Sequence, residues 1–221
     1  KYLHQEQQVV EHCMNGILKK LEAEGISIKS YHEVNQHQKS HLNKYFRENI
    51  YPVIIPIAVD ATHPFPHLNN LSFGLIVKLR DSDNAAIERF GIIRVPRVLE
   101  RFIELDHGIY MPIESLVAEH VDELFPGYTL IKYASFRVTR NADMEIEEEE
   151  ADDFLEILEE GLKLRRKGAM VRLEVGSDGD DEIINFFNRH TNVYKDDIFT
   201  FHTFLNLSSL WQIVSNKQFA H

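Results

Sequence analysis

The spacing of apolar residues changes at residue 51, from a helical period to short runs rich in β-branched and aromatic residues. Four such runs are VIIPIAV, SFGLIVKL, IERFGIIRV and GIYMPI, and they are divided by segments such as DATHPFPHLNN and DSDN. Short apolar runs joined by polar turns are typical of antiparallel strands. From residue 51 onward the chain must therefore build a sheet, and we predict a mainly antiparallel one.

Residues 1–24 instead place apolar side chains at helical spacing, and this pattern stops at Gly25. The predicted stripe consists of Leu3, Val9, Val10, Cys13, Ile17, Leu18 and Leu21. Because the single cysteine falls on this stripe, we predict that Cys13 is a packing residue rather than a nucleophile. An extended link, ISIKSYHEV, leads to a second helix capped by Asn35, with Leu42, Tyr45 and Phe46 facing inward.

The remaining segments predict further helices and strands. PIESLVAEHVDELF is a helix closed by Pro126 and Gly127, and YTLIKYASFRVTRN is a long strand whose Ala134, Phe136 and Val138 share one face. EEEEADDFLEILEEGLKLRRKG, DDEIINFFNRH and NLSSLWQIV are helices. MVRLEV is a strand with Val171, Leu173 and Val175 inward and Arg172 and Glu174 outward. The predicted class is α+β, a mainly antiparallel sheet with packed helices, preceded by a helical hairpin.

Composition excludes several classes of protein. The net charge is −11, from 24 lysines and arginines against 35 acids, which argues against a nucleic-acid-binding surface. No apolar stretch reaches the roughly 18 residues of a membrane span, and one cysteine cannot form an internal disulfide. The sequence has no Walker-type loop and no G-x-S-x-G motif. With a single cysteine, the expected compartment is reducing, with the cytoplasm as the default. The sequence lacks an initiator Met and a cap before its first helix, so we expect a piece of a longer protein.

The segment DATHPFPH contains three side chains of the kind that bind metals, Asp60, His63 and His67. Helical i, i+4 spacing would place both imidazoles on one face. Pro64 and Pro66 exclude that helix, because each lacks an N–H and favours extended backbone in the residue before it. We therefore predict a rigid turn made by His63, Pro64, Pro66 and His67, with the imidazoles hydrogen-bonded to backbone and with no metal.

Arg137 and Arg140 lie near the end of the long strand, in FRVTRNAD. Guanidinium groups there could hold phosphate in bidentate fashion or pair with nearby acids, and pairing is favoured. Alternation sends the two side chains to opposite faces, so they are not expected to grip one phosphate together. We predict that Arg137 pairs with a carboxylate and that Arg140 points toward solvent or a partner domain.

The order of these motifs along the chain resembles that of the bacterial polyphosphate kinase family. The resemblance covers nearly the whole chain in a single register. Its most specific parts are the HPFP turn, the FRVTRNAD strand end and the helix-to-strand join RRKGAMVRLEV. It implies that residues 1–50 end an amino-terminal helical domain and that residues 51–221 form the middle, or head, domain.

The resemblance also implies an activity for the parent protein. Enzymes of this family transfer the terminal phosphate of ATP reversibly to inorganic polyphosphate, through a phosphohistidine and with magnesium. The family's phosphorylated histidine and its phosphate- and magnesium-binding arginines lie in carboxyl-terminal domains, and its nucleotide-contacting asparagine lies earlier in the helical domain. The resemblance therefore carries no catalytic, cofactor-binding or metal residue onto this chain, and implies that the fragment alone is inactive.

The role implied for the fragment is intersubunit contact and shaping of a polyphosphate channel. The arginines considered for phosphate or intersubunit contact are Arg137, Arg140, Arg165, Arg166 and Arg172. The implied partners are the remaining domains of the same enzyme and further copies of it, with polyphosphate and ATP as ligands of the parent. Membrane association of the full-length enzyme is left open.

Two other readings of the residues stay open. One is a free-standing binding or regulatory domain that recognises a phosphorylated ligand through the FRVTRNAD arginines. The other, favoured least, is a metal-dependent hydrolase centred on Asp60, His63 and His67.

Overall fold

The structure is a computed structural model that describes residues 2–60, 62–141 and 169–216. The predicted acidic helix, with Arg165 and Arg166, lies outside the described residues.

The chain begins with helix α1 (Tyr2–Ala23), strand β1 (Ser27–Ile28), a 3₁₀ turn (Tyr31–Glu33) and helix α2 (Gln36–Tyr45), which continues into a π-helical turn (Phe46–Ile50). Five strands follow, β2 (Pro56–Val59), β3 (Phe73–Asp81), β4 (Glu88–Arg94), β5 (Phe102–Asp106) and β6 (Ile109–Pro112). Helices α3 (Ile113–Glu119) and α4 (Val121–Leu124) precede strands β7 (Tyr128–Arg140) and β8 (Met170–Gly176). The last elements are α5 (Asp181–His190), a 3₁₀ turn (Lys195–Asp197), β9 (Ile198–Phe201), a 3₁₀ turn (Leu207–Leu210) and α6 (Trp211–Val214).

The strands form two sheets. The larger has the order β2-β4-β3-β7-β8-β9, and every neighbouring pair in it is antiparallel except β8 with β9. The smaller has the order β1-β6-β5, in which β1 and β6 are parallel. The predicted α+β class, with a mainly antiparallel sheet and packed helices, is confirmed.

The larger sheet is buried on both faces because alternate side chains of β3 enter different apolar clusters. Leu75 and Val77 pack with Phe46, from the turn after α2, in a group that we call the first cluster. Ile76 packs with Phe187 of α5 in a group that we call the second cluster. The predicted inward face of β7 is confirmed, since its three members are fully buried: Ala134, Phe136 and Val138. Leu42 of α2 shares the first cluster with the strands, so the predicted domain boundary at residue 50 lies within continuous packing and stays a prediction.

Helix α1 docks only partly through the predicted stripe: Leu21 packs against buried apolar residues, but other members of the stripe are exposed. Cys13 is exposed, as are Val9 and Ile17, so the prediction that Cys13 packs is wrong. Met14 is buried, and two polar side chains of the helix also bond to the segment around β9. Gln7 Nε2 donates to the Thr200 carbonyl, and Glu11 accepts a 2.8 Å hydrogen bond from the backbone of His202. The docking face is therefore set partly by hydrogen bonds to β9, which apolar spacing does not reveal.

The helix predicted before the long strand is divided in two at His120, whose backbone leaves helical geometry with φ −110° and ψ 24°. The His120 ring is buried and stacks on Phe46 with ring centroids 4.1 Å apart, and its Nδ1 lies 2.9 Å from the Leu116 carbonyl. This polar residue interrupts the helix while filling a position in the first cluster.

Candidate functional site

The segment after β2 is a tight turn organised by Asp60. One oxygen of this carboxylate accepts hydrogen bonds from the backbone N–H groups of Thr62 and His63, both at 2.8 Å, and from the Thr62 hydroxyl at 2.6 Å. The other oxygen pairs with Arg89 at 2.7 Å. An aspartate that binds the next backbone N–H groups fixes chain direction without a helix. These bonds involve residues 60–63, and the turn of His63, Pro64, Pro66 and His67 stays a prediction.

The His63 ring differs from the prediction in its partners. Its Nδ1 lies 2.9 Å from the Thr62 hydroxyl and 3.2 Å from Asp60, so the imidazole contacts side chains rather than backbone. Nearby, Phe65 holds the segment against the second apolar cluster, stacking on His190 with centroids 5.8 Å apart. Within the described ranges, no group of three or more His, Cys, Asp or Glu side chains is placed to hold a metal ion.

Asp60 gives the turn a defined pH dependence. The hydrogen bond from the Thr62 hydroxyl and those from the backbone lower the pKa of the Asp60 carboxyl well below its ordinary value of 3.8. Because the folded chain favours the carboxylate, its stabilising effect is complete above that ordinary pKa and is lost as pH falls below it. Thermal melts from neutral to acid pH should show Asp60→Asn less stable than wild type at pH 7, with the two converging in acid. Asp122→Asn, which changes an exposed carboxylate elsewhere, is the control. If melting temperature fell with pH in parallel for wild type and Asp60→Asn, this account would be contradicted.

Arg140 joins the segment that follows this turn to the end of β7. Its Nε donates to the Leu68 carbonyl at 2.6 Å, and its backbone N–H donates to the side chain of Asn70 at 2.9 Å. Burial lowers the pKa of its guanidinium. The prediction that Arg140 points to solvent or a partner domain is therefore wrong, because Leu68, two residues after the HPFP segment, lies beside this strand end and supplies a backbone acceptor.

Arg137 pairs with a carboxylate, as predicted. Its Nη1 lies 3.0 Å from one oxygen of Glu174, its neighbour in register on β8, and Arg172 Nε lies 2.9 Å from the other oxygen. The Arg172 guanidinium also lies over the Phe199 ring, 4.1 Å from its centroid. The structure thus brings Arg137 and Arg172 together on one glutamate.

The prediction for the two faces of β8 is partly wrong. Leu173 and Val175 are buried as predicted, but Val171 is 43% exposed and Glu174 is 8% exposed. Because β8 lies between β7 and β9, the face that carries Glu174 is covered by the arginines on either side of it and by the Phe199 ring. Alternation identified which residues share a face, but not which face is covered.

Arg137 also lines a cleft of about 960 Å³, which we call the arginine cleft. Its basic lining residues are Arg94, Arg97, Arg101 and Arg137, and its acidic lining residue is Glu100. Amide and hydroxyl side chains complete the polar lining; they are Asn69, Asn70, Ser72, Asn206, Ser208, Ser209 and Gln212. A chain of net charge −11 therefore presents a locally basic concave surface here.

Arg101 is the most buried of these arginines, with 7% of its surface exposed. Its Nη2 pairs with Glu114, and its guanidinium lies 3.8 Å from the centroid of the Phe73 ring. Its Nε and Nη1 are buried without a hydrogen-bond partner, as is the second oxygen of Glu114. Two strong donors are thus left unsatisfied on a side chain that lines the cleft, and buried donors of this kind ordinarily have partners.

Three of the four cleft arginines were missed at the level of sequence. They fall within RVPRVLER, at spacings of three and four residues, in a segment that begins at the last residue of β4. Their signal was a local basic cluster in an acidic chain, in a segment that Pro96 keeps out of the sheet ladder. What the sequence did not indicate is that this segment lies beside Arg137.

Comparisons with known proteins agree with the fold and with the order of motifs. A sequence model of the polyphosphate kinase middle domain matches residues 37–213. The chain belongs to the polyphosphate kinase family. It is 56% identical over all of its 221 residues to the polyphosphate kinase of Campylobacter jejuni subsp. doylei, and 37% identical over 205 residues to that of Mycolicibacterium paratuberculosis.

The chain spans 32% and 28% of the lengths of these two polyphosphate kinases. The crystal structure of the polyphosphate kinase from Porphyromonas gingivalis has the same fold over 95% of this chain and 30% of its own, with a TM-score of 0.75 and 21% identity. Of the helices in the described ranges, none combines the length and apolar character that a bilayer crossing requires.

Proposed function

We propose that this polyphosphate kinase middle domain serves an enzyme that reversibly transfers the terminal phosphate of ATP to inorganic polyphosphate, and that its own role is non-catalytic. The match to the middle domain over residues 37–213 carries this proposal. In it, the domain contributes intersubunit contacts in a homo-oligomer and one wall of the polyphosphate channel. A cytoplasmic location goes with this proposal.

The basic lining of the arginine cleft supports the channel role. Arginine binds phosphate oxygens with a planar, bidentate donor set, and it keeps its charge at all relevant pH values. Arg137, which was considered for phosphate contact and predicted to pair with an acid, lines the cleft; Arg172 belongs to a neighbouring pocket of about 330 Å³ that Arg137 also lines. Arg140 is held by backbone and is assigned to the fold instead.

The phosphohistidine, ATP and magnesium are assigned in this proposal to other parts of the full-length enzyme. The described residues offer no set of three His, Cys, Asp or Glu side chains for a cation, so they do not fit a magnesium site of that kind. The proposal routes no step of the phosphoryl transfer through this chain.

The 221-residue chain should show no polyphosphate kinase activity by itself. Incubation with radiolabelled ATP, magnesium and a polyphosphate primer should give no polymer beyond a no-protein control and no acid-labile label on the chain. A full-length polyphosphate kinase assayed in parallel establishes that the reagents work. Polymer growth, or acid-labile label on this chain, would contradict the non-catalytic role.

A second candidate is a free-standing domain that binds a phosphorylated ligand for regulation. The arginine cleft favours it, because a binding site needs no further domain to be useful. The coding sequence after residue 221 distinguishes the two proposals. Further domains bearing histidines and arginines would support the middle domain of a polyphosphate kinase, and a stop codon would support the free-standing domain.

A further inference from the structure

We infer that the arginine cleft is a binding site for a linear oligophosphate, and that it binds phosphate groups without a nucleoside. The ligand class rests on the proposed function, whereas the site itself rests on the geometry of this chain. The inference assigns Arg94, Arg97, Arg101 and Arg137 as its phosphate-binding residues.

The first argument is the local charge. Arg101 and Arg137 are paired with Glu114 and Glu174, so the excess positive charge of the cleft comes from Arg94 and Arg97, with Glu100 as the acid in the lining. In the described ranges, the side chain of Arg94 has no hydrogen-bond or ion-pair partner, and the side chain of Arg97 bonds to the backbone carbonyl of Asn70 at 3.1 Å. The charges of these two arginines are therefore not neutralised by an acid, and they remain available to an anion.

The second argument is the set of donors left unsatisfied. Arg101 Nε and Nη1 and Arg137 Nε are buried and without a partner, and both side chains line the cleft. Leaving such a donor unpaired costs about 1–3 kcal/mol, and more for a charged group. A phosphate oxygen would reach these donors only where a lining side chain moves aside, and binding would then recover part of that cost.

The third argument is rigidity. Arg94 is fixed by its pairing with Gly74 across β4 and β3, and Arg137 by its ion pair with Glu174. The cleft also contains Leu71 and Asn206, the two non-glycine residues of the described ranges with positive φ, at 59° and 55°. Left-handed backbone is unfavourable for leucine and tends to occur where the surrounding structure requires it, often at binding sites.

The size and lining of the cleft favour an oligophosphate over a nucleotide. A volume of about 960 Å³ exceeds what one phosphate needs and lies at the upper end of ligand pockets, which are about 300–1,000 Å³. Phe73 is the aromatic side chain in the lining, and the Arg101 guanidinium covers it. No aromatic face in the described lining is therefore open for a base to stack on, while basic donors are plentiful.

Binding of sodium tripolyphosphate to the 221-residue chain tests the inference, measured by titration calorimetry at low salt. We expect saturable binding that weakens at least about tenfold in the double variant Arg94→Ala/Arg97→Ala, since each lost bond to a charged group typically costs about a factor of ten or more. These two positions carry the test because Arg101→Ala would also break the buried pair with Glu114. The matched control, Arg189→Ala/Lys195→Ala, removes two exposed positive charges outside the cleft lining and should bind like wild type.

Three results would overturn the inference. They are the absence of saturable binding, equal weakening in the cleft and control variants, and tighter binding of ATP than of tripolyphosphate. Melting curves of every variant establish that a loss of binding is not a loss of fold. The proposed function fails separately: a full-length parent without kinase activity contradicts that function and leaves the binding result as it stands.

Discussion

Replacing Gly74 with alanine is expected to destabilise the chain by about 3 kcal/mol, the upper end of typical overpacking costs. A Cβ at this position would lie 2.2 Å from the carbonyl oxygen of Ile93 and 3.1 Å from the Cα of Arg94. Both atoms belong to the backbone of β4, so no side-chain rotation relieves the clash and the two strands must separate. Urea unfolding followed by circular dichroism measures the loss.

Gly16→Ala is the matched control for this experiment. Gly16 lies in α1, and nothing approaches within 4 Å of the Cβ that alanine would add. Alanine is favoured over glycine inside a helix by about 1 kcal/mol, so this variant should be as stable as wild type or more so. The same substitution is thus expected to act with opposite sign at the two sites. A wild-type urea midpoint for Gly74→Ala would show that β3 and β4 are not packed as closely as described.

Glu174→Ala should also have a large effect, a loss of about 2–3 kcal/mol in the free energy of unfolding. Removing one partner of a fully buried ion pair costs about 3–5 kcal/mol. The side chains of Arg137 and Arg172 are 21% and 28% exposed, so solvent reduces that value here. Without Glu174 the two guanidinium groups face each other over the sheet with no carboxylate between them.

The surface pair of Arg47 and Glu123 provides the comparison for Glu174. Its atoms are 2.9 Å apart, as close as those of the buried cluster, but its side chains are 60% and 33% exposed. Exposed pairs typically contribute about 0–1 kcal/mol, so Glu123→Ala should cost far less. Equal losses in denaturant unfolding of the two variants would mean that burial of Glu174 does not strengthen its interactions.

The positions of most strands and helices were predictable because they depend on local patterns. The period-two alternation of β7 identified its buried face, and Asn35 and Gly25 mark a helix start and a helix stop. Asn35 accepts from the backbone of Gln38, as a helix cap does, and Gly25 adopts a φ of 82°. The family, too, could be inferred from sequence, because the order of several motifs in one register is a property of the chain alone.

What the sequence did not determine was which surfaces become covered. Cys13 and Val171 are apolar positions that stay exposed, whereas Glu174 is a charged position that is buried. Alternation and helical spacing define faces, but the neighbour that covers a face comes from elsewhere in the chain. The sequence also did not determine the parallel pairs β1–β6 and β8–β9, because strand order depends on segments that are distant along the chain.

The arginine cleft shows the same division most clearly. The sequence by itself placed Arg94, Arg97 and Arg101 in one short segment and Arg137 some forty residues later, and it identified Arg137 as a residue that pairs with an acid. Only the tertiary structure brought them together, because β3 pairs with β4 on one side and with β7 on the other. Local periodicity specifies each strand, whereas the distance between two strands is set by backbone hydrogen bonds and packing across the sheet, which no local pattern encodes.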